Sequence, residues 1–199
     1  MGITGGIGSG KTTVCRMFES LQIPVYYADD RAKWLMENDN ELKAAIENLL
    51  GPMAYDANGH LQRALIAKKV FAEPELLNKL NALVHPAVFQ DGEKWFAEHI
   101  DEPYALKEAA LIYESGGNHL LDGVIVVTAP EPLRIARVVA RDGVEEEAVK
   151  ARIARQMPEE EKVKLADYII INDGQQDLLP QVWRIHRELC ARSEQEANS

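Results

Sequence analysis

Apolar residues fall along this chain in two rhythms. Short unbroken runs alternate with longer stretches in which apolar positions recur every three or four residues, the pattern of strands interleaved with helices. Met1 to Thr4 is the stub of a first strand. Thr12 to Leu21 places Val14, Met17, Phe18 and Leu21 on one helical face. Ile23 to Tyr27 reads as a second strand, running out at Ala28-Asp29-Asp30. Strand, helix and strand in that order form a βαβ unit, which implies a parallel sheet with the second strand beside the first. A first strand beginning at Met1 is short, so the native chain is expected to begin a few residues earlier.

From about Arg31 to His99 the rhythm is helical. Leu42, Ile46, Leu49 and Leu50 share a face that Gly51 is placed to end. After the turn Asp56-Ala57-Asn58-Gly59, three more faces follow: Leu65, Ile66, Val70 and Phe71; Leu76, Leu77, Leu80 and Leu83; Val88, Phe89, Trp95 and Phe96. His85-Pro86 falls between two of these helices, and Trp34, Trp95 and Trp183 read as core or pocket aromatics, core being favoured. So many helices in succession predict an inserted helical domain. Strand character returns at Tyr104-Ala105-Leu106 and again at Gly123 to Thr128. The latter run is apolar throughout, as in a central parallel strand covered on both faces. Ala129-Pro130-Glu131-Pro132 breaks it, and a helix carrying Arg134, Arg137 and Arg141 follows. Glu145 to Lys164 is helical, charged and poor in apolar anchors, which predicts a mobile flap. Tyr168 to Ile171 is the last strand, the helix from Leu178 to Leu189 packs back, and the tail from Arg192 is expected to be disordered. The fold class is α/β, a parallel sheet flanked by helices.

Composition narrows the partners. The 199 residues suffice for one α/β domain with insertions, and 46% of them are hydrophobic. A formal net charge of -10 argues against nucleic acid or an anionic membrane as the main partner. Cys15 and Cys190 form no C-x-x-C and read as reduced thiols of a cytoplasmic protein. No run approaches a membrane span, and no signal-peptide pattern is present.

The chemistry concentrates in Gly5-Gly6-Ile7-Gly8-Ser9-Gly10-Lys11-Thr12, a full G-x-x-x-x-G-K-[ST] phosphate-binding loop between a strand and a helix. Glycines let backbone N–H groups turn inward around a phosphate. Lys11, expected on a solvated phosphate site, reaches the β- and γ-phosphates, and the Thr12 hydroxyl can ligate Mg²⁺. The helix N-terminus completes the anion site. The chain is therefore expected to bind a nucleoside triphosphate.

Other residues are open to more than one reading. Asp29, at the carboxyl end of the second strand, either orients an attacking hydroxyl and takes its proton, helps hold Mg²⁺, or caps the helix that follows; Asp30 fits the cap better. Arg137 and Arg141 lie one turn apart and share a face, either clamping a phosphoryl group or facing water. Asn172-Asp173-Gly174 is either an ordinary turn or the edge of an adenine pocket. Arg63 reaches a ligand or only water, and a lone His85 is most simply structural. The runs Glu145-Glu146-Glu147 and Glu159-Glu160-Glu161 read as solvated faces.

Taken together these residues resemble the dephospho-coenzyme A kinase family along essentially the whole chain. The pieces are Thr4 to Thr13, Ala28-Asp29, Gly59-His60-Leu61-Gln62-Arg63, Asn81 to Pro86, Leu111-Ile112-Tyr113-Glu114, Arg137, Arg141-Asp142, Gln156, Ala166-Asp167-Tyr168 and Asn172-Asp173-Gly174. The resemblance implies a P-loop nucleotide-kinase core (residues 1–30, 103–138 and 166–199), a helical acceptor-binding insertion (31–102) and a lid (139–165). It implies ATP-dependent phosphorylation of the ribose 3′-hydroxyl of dephospho-coenzyme A, with Mg²⁺. It also implies roles: Asp29, Lys11 and Arg137 in catalysis; Gly6, Gly8, Ser9, Gly10, Lys11, Thr12, Thr13, Arg141, Asn172 and Gly174 around ATP; Asp29, Arg63 and His85 toward the acceptor; Thr12 toward the metal.

Two departures stand out. The family often has Asp-Ala-Asp where this chain has Tyr27-Ala28-Asp29, which removes a second carboxylate, and a proline where this chain has Ala110. Competing activities are a kinase for another small hydroxyl or nucleoside monophosphate on the same core, and a nucleotide-operated switch. A switch calls for Asn-Lys-x-Asp and a later Asp-x-x-Gly, and neither is found.

Overall fold

The predicted alternation of runs and helical stretches resolves, in a computed structural model, into five strands and nine α-helices among the described residues. The structure describes residues 1–198, without the side chains of residues 71, 72 and 197, so the predicted place of Phe71 on a helical face lies outside it. The strands are β1 (Gly2–Thr4), β2 (Val25–Tyr27), β3 (Leu106–Glu108), β4 (Val124–Thr128) and β5 (Tyr168–Ile171). The helices are α1 (Lys11–Ser20), α2 (Ala28–Asn38), α3 (Asn40–Leu50), α4 (Arg63–Ala72), α5 (Pro74–Glu98), α6 (Glu131–Asp142), α7 (Glu146–Ile153), α8 (Glu159–Leu165) and α9 (Leu178–Ala197).

All strand pairs are parallel, in the order β2-β3-β1-β4-β5. The expectation that β2 lies beside β1 is therefore wrong. The chain returns from its helical insertion to place β3 between them, pairing Ile3 with Glu108 on one side and Ile125 on the other. The third strand also starts two residues later than the apolar pattern suggests and takes in Lys107 and Glu108. Ladder partners on both sides hold these charged residues in the sheet despite their weak strand propensity. The period of two decides which core each side chain joins. Ile125 and Val127 enter the cluster with Ile3, Val14, Phe18, Ile170, Val182 and Ile185, whereas Val124 and Val126 pack with Ile112 and Tyr113.

The chain divides into two compact units, Met1–Tyr27 with His99–Ser199, and Ala28–Glu98. In the second unit, Leu35, Leu42, Ile46, Leu50, Ile66, Val70, Leu80 and Val84 form the core. Asp39 caps α3 by accepting the Leu42 N–H at 2.9 Å. A bidentate pair of Arg31 on Asp91 ties α2 to α5. Pro86 lies inside the 25-residue α5. The two predicted helices flanking His85-Pro86 are thus one, although the proline has no N–H to bond the Ala82 carbonyl. Trp34 and Trp183 are not core residues, being 49% and 48% exposed. The Arg31 guanidinium covers one face of Trp34 at 4.4 Å.

The segment from Glu145 to Lys164 is better anchored than its composition suggests. Val149 is fully buried against Ile135 and Val138 of α6. Lys162 is fully buried too, with its ammonium 2.8 Å from Glu114 and donating to the Ala110 carbonyl at 3.4 Å. The tail beyond Arg192 is helix rather than disorder: α9 runs on to Ala197, with Arg192 paired to Glu196 one turn away.

Removing one partner of the Lys162–Glu114 pair should expose how deep that anchor is. Glu114 also accepts the Met157 N–H at 2.9 Å. Burial pushes its carboxyl pKa up, but the Lys162 and Met157 hydrogen bonds outweigh that and hold it below the ordinary value. A depressed carboxylate gives stability that is full above its unfolded pKa and is lost as pH falls through the folded one. Glu114→Ala strands a buried ammonium and is expected to cost about 3 kcal/mol. Lys162→Met fills the same space and leaves a carboxylate whose side chain is 20% exposed, so it should cost less. Urea unfolding midpoints at constant m check this order, and equal losses would contradict it.

Candidate functional site

The end of β1 turns directly into the glycine loop, which opens α1. Ser9 N–H closes the turn on the Gly6 carbonyl at 3.0 Å. Gly10 stands before α1 at φ 92°, and a Cβ there would overlap the Asn172 amide, which donates to the Ser9 carbonyl at 2.8 Å. Both conditions call for glycine. No side chain caps α1, so its first amides are left for an anion. Thr12 and Thr13 are exposed on its first turn, whereas Ser9 is buried and its hydroxyl makes no hydrogen bond among the described residues.

Lys11 is not the solvated side chain expected. Its side chain is 12% exposed, with Nζ donating to the Gly5 carbonyl at 3.0 Å and lying 4.0 Å from Glu108 Oε1. Glu108 itself is 8% exposed. It ends β3, the strand that actually adjoins β1, and its register partner on the far side is Tyr27. A carboxylate is thus present beside the loop on the strand next to the tyrosine that replaces one. Sequence reasoning missed Glu108 because the third strand was ended at Leu106. Cys15, below the loop, is fully buried, and burial, reinforced by Glu108 and opposed by Lys11, pushes its thiol up to about 12. It is a packing residue and not a nucleophile.

The two arginines predicted to act together part company. Arg137 reaches the loop, with Nη1 donating to the Gly8 carbonyl at 3.4 Å and Nη2 to the Asn172 carbonyl and Oδ1, both at 3.1 Å. Arg141 instead makes two bonds to its neighbour Asp142, at 2.6 and 3.0 Å, and is largely exposed. It has turned to that carboxylate and is not brought to the loop. Asn172 is brought there, and Gly174 follows it at φ 80° in the turn that Asp173 holds by accepting the Gln175 and Gln176 N–H groups.

Two further side chains meet the loop. Gln156 Oε1 accepts the Ile7 N–H at 2.9 Å, and Arg134 packs on Gly6. Lys11, Arg134 and Arg137 thus gather positive charge around the glycines of a chain whose net charge is -10. Beside them opens a cavity of about 920 Å³ between the ends of β4 and β5 and the segment from Ile153 to Lys164.

Asp29, Arg63 and His85 all lie in the helical unit. Neither Asp29 nor Asp30 is a cap, because α2 begins at Ala28 and takes both into its first turn. Asp30 pairs with Lys33 at 2.6 Å, while no hydrogen bond among the described residues engages the Asp29 carboxylate. Arg63 starts α4 and pairs with Glu37 at 3.2 Å. His85 is exposed on α5. Among the described residues no group of three or more His, Cys, Asp or Glu could hold a metal. The Thr12 hydroxyl and the Glu108 carboxylate are oxygen groups beside the loop of the hard kind that Mg²⁺ takes.

Residues 1–177 match the family model for dephospho-CoA kinase. Curated proteins named dephospho-CoA kinase are similar along most of their length. That of Salinibacter ruber is 43% identical, over 87% of this chain and 88% of its own, and that of Chlorobaculum tepidum 44%, over 95% and 94%. Among solved structures, a Thermus thermophilus protein superposes with a TM-score of 0.85 at 36% identity, covering 94% of this chain and 95% of its own. The dephospho-CoA kinase of Campylobacter jejuni does so with 0.70 at 27%, covering 96% of each.

Proposed function

This chain belongs to the dephospho-CoA kinase family, and from that premise we propose how its residues divide the reaction. The activity is phosphorylation of dephospho-CoA by ATP to CoA and ADP, the final step of CoA biosynthesis. The observation that carries the division of roles is the convergence of Lys11, Arg137 and Asn172 on one glycine loop.

Gly6, Gly8, Ser9, Gly10, Lys11, Thr12 and Thr13 surround the phosphates of ATP, helped by the positive end of α1. Lys11 gives up the Gly5 carbonyl to meet the β- and γ-oxygens. Arg137, already held over Gly8, meets charge that develops on the transferring group. Asn172 and Gly174 flank the base. Arg141 joins only by leaving Asp142. Asp29 orients the ribose 3′-hydroxyl of the acceptor and takes its proton, while Arg63 and His85 hold the acceptor's remaining parts in the 31–102 insertion. Residues 139–165 act as a lid that excludes water. Thr12 and Glu108 would hold Mg²⁺, which when bound neutralises phosphate charge. Among the described residues no helix is long and apolar enough to cross a membrane.

A panel of acceptors tests the assignment. ADP release should require both Mg²⁺ and dephospho-CoA, with CoA as the product. Adenosine and AMP should be poor acceptors, since they lack the remote contacts that position the hydroxyl. Equal turnover of AMP and dephospho-CoA would overturn the substrate reading.

A further inference from the structure

Ten residues of the lid, from Ile153 to Lys162, include two that grip consecutive positions of the phosphate loop. Gln156 accepts the Ile7 N–H at 2.9 Å. Glu159 meets Arg134, whose Nη1 lies 3.3 Å away, and this pair sits on Gly6 so closely that a Cβ there would overlap the guanidinium. Arg134 is 4% exposed and belongs to α6, the helix that leads into the lid. Its second carboxylate neighbour, Glu131, is farther off at 3.7 Å. Arg134 Nε and Glu159 Oε1 are both buried with no hydrogen-bond partner among the described residues.

A buried ion pair gains little stability for its desolvation unless its remaining donors and acceptors are satisfied. Here one contact is long and two buried atoms are unused. Such a pair is a poor staple but a good hinge contact, because it holds hydrogen-bonding capacity for a second arrangement. Its neighbours are firm by comparison. Glu114 fixes the lid at Met157 and Lys162, on either side of Glu159. The contacts from this segment to the loop run through Gln156, and through Glu159 by way of Arg134.

We propose that Gln156, Glu159 and Arg134 are positioning residues that fasten the lid to Gly6 and Ile7, so that the lid and the phosphate loop change conformation as one element. The inference rests on the reading of the loop as the triphosphate site. It assigns these three residues no contact with the reacting atoms. They act through the loop backbone, where displacement by a fraction of an ångström misaligns the amides and Lys11.

Amide exchange on the full chain, with and without a nonhydrolysable ATP analogue and Mg²⁺, tests the coupling. The expected result is that protection of Gly6 to Gly8 and of residues 156–162 rises together. Protection that rises at the loop alone would overturn the proposal. No protection at the loop would overturn the triphosphate-site reading beneath it. Gln156→Leu should speed exchange of the Ile7 amide and lower kcat roughly tenfold, with the KM for dephospho-CoA and the thermal midpoint unchanged. Gln156→Glu retains the acceptor and should retain the Ile7 protection. Wild-type kcat and Ile7 exchange in Gln156→Leu, or loss of Ile7 protection in both variants, would also overturn it.

Discussion

Asp29→Asn is expected to lower kcat by about 10² to 10⁴, the usual contribution of a positioned general base. An alcohol is a weak nucleophile at neutral pH. A carboxylate that orients it and accepts its proton late in transfer removes much of that handicap. Asp29 stands two residues past the carboxyl end of β2, the edge of a parallel sheet where ligands collect. Asparagine keeps the shape and removes the charge. The structure disposes of one rival: Asp29 lies inside the first turn of α2, so the change removes no cap. It does remove a negative charge near a helix N-terminus, worth about 0.3–1 kcal/mol. Steady-state kinetics with both substrates varied, alongside calorimetry of ATP binding, separates the remaining roles. A loss in kcat with unchanged ATP affinity marks the base, whereas weaker ATP binding with altered Mg²⁺ dependence marks a metal-side group. Near wild-type turnover would rule out both.

Lys11→Ala should abolish most transfer as well. A preorganised charge on the transferring group is worth on the order of 3 kcal/mol, a hundredfold or more in rate. The side chain is mostly buried and faces Glu108 at 4.0 Å, so alanine also removes a cation from beside a buried carboxylate. Lys11→Met, which keeps most of the stem, isolates the electrostatic part. Single-turnover transfer by both variants, read with their thermal unfolding, is the measurement. Comparable rate losses in the two would assign the effect to charge, and near-full activity in either would contradict the role given to Lys11.

What could be read from the sequence follows the range of each interaction. The phosphate loop occupies one contiguous stretch, Gly5 to Thr12, and its neighbours in sequence are its neighbours in space. β4 announced itself because both of its faces are covered. The strand order did not, since β3 reaches its place between β1 and β2 only after the long helical detour. That error displaced Glu108, whose carboxylate lies 4.0 Å from Lys11 Nζ. Buried charge misled in the same way. Arg134, Glu159 and Lys162 look in sequence like parts of solvated runs, because their partners stand 25 to 48 positions away. Arg137 and Arg141 share a helical face as predicted, yet Asp142 offers Arg141 a partner at no distance, and local pairing prevailed over the loop. Asp29, Arg63 and His85 lie in the helical unit, and the Asp29→Asn change tests the acceptor role proposed for the first of them.

The three tryptophans give each unit its own optical label. Trp34 and Trp95 lie in the helical unit and Trp183 in the sheet unit. Trp34 is half in water beneath the Arg31 guanidinium, and Trp183 is half in water with its ring 5.5 Å from that of His186. Indole emission shifts to longer wavelength as its surroundings become wetter. With Trp95 and Trp183 replaced by phenylalanine, emission from Trp34 becomes a local record of the insertion, and the reciprocal pair of replacements leaves Trp183 to record the core. Binding of either substrate can then be followed in stopped flow without an attached dye, and the order in which the two units respond can be timed.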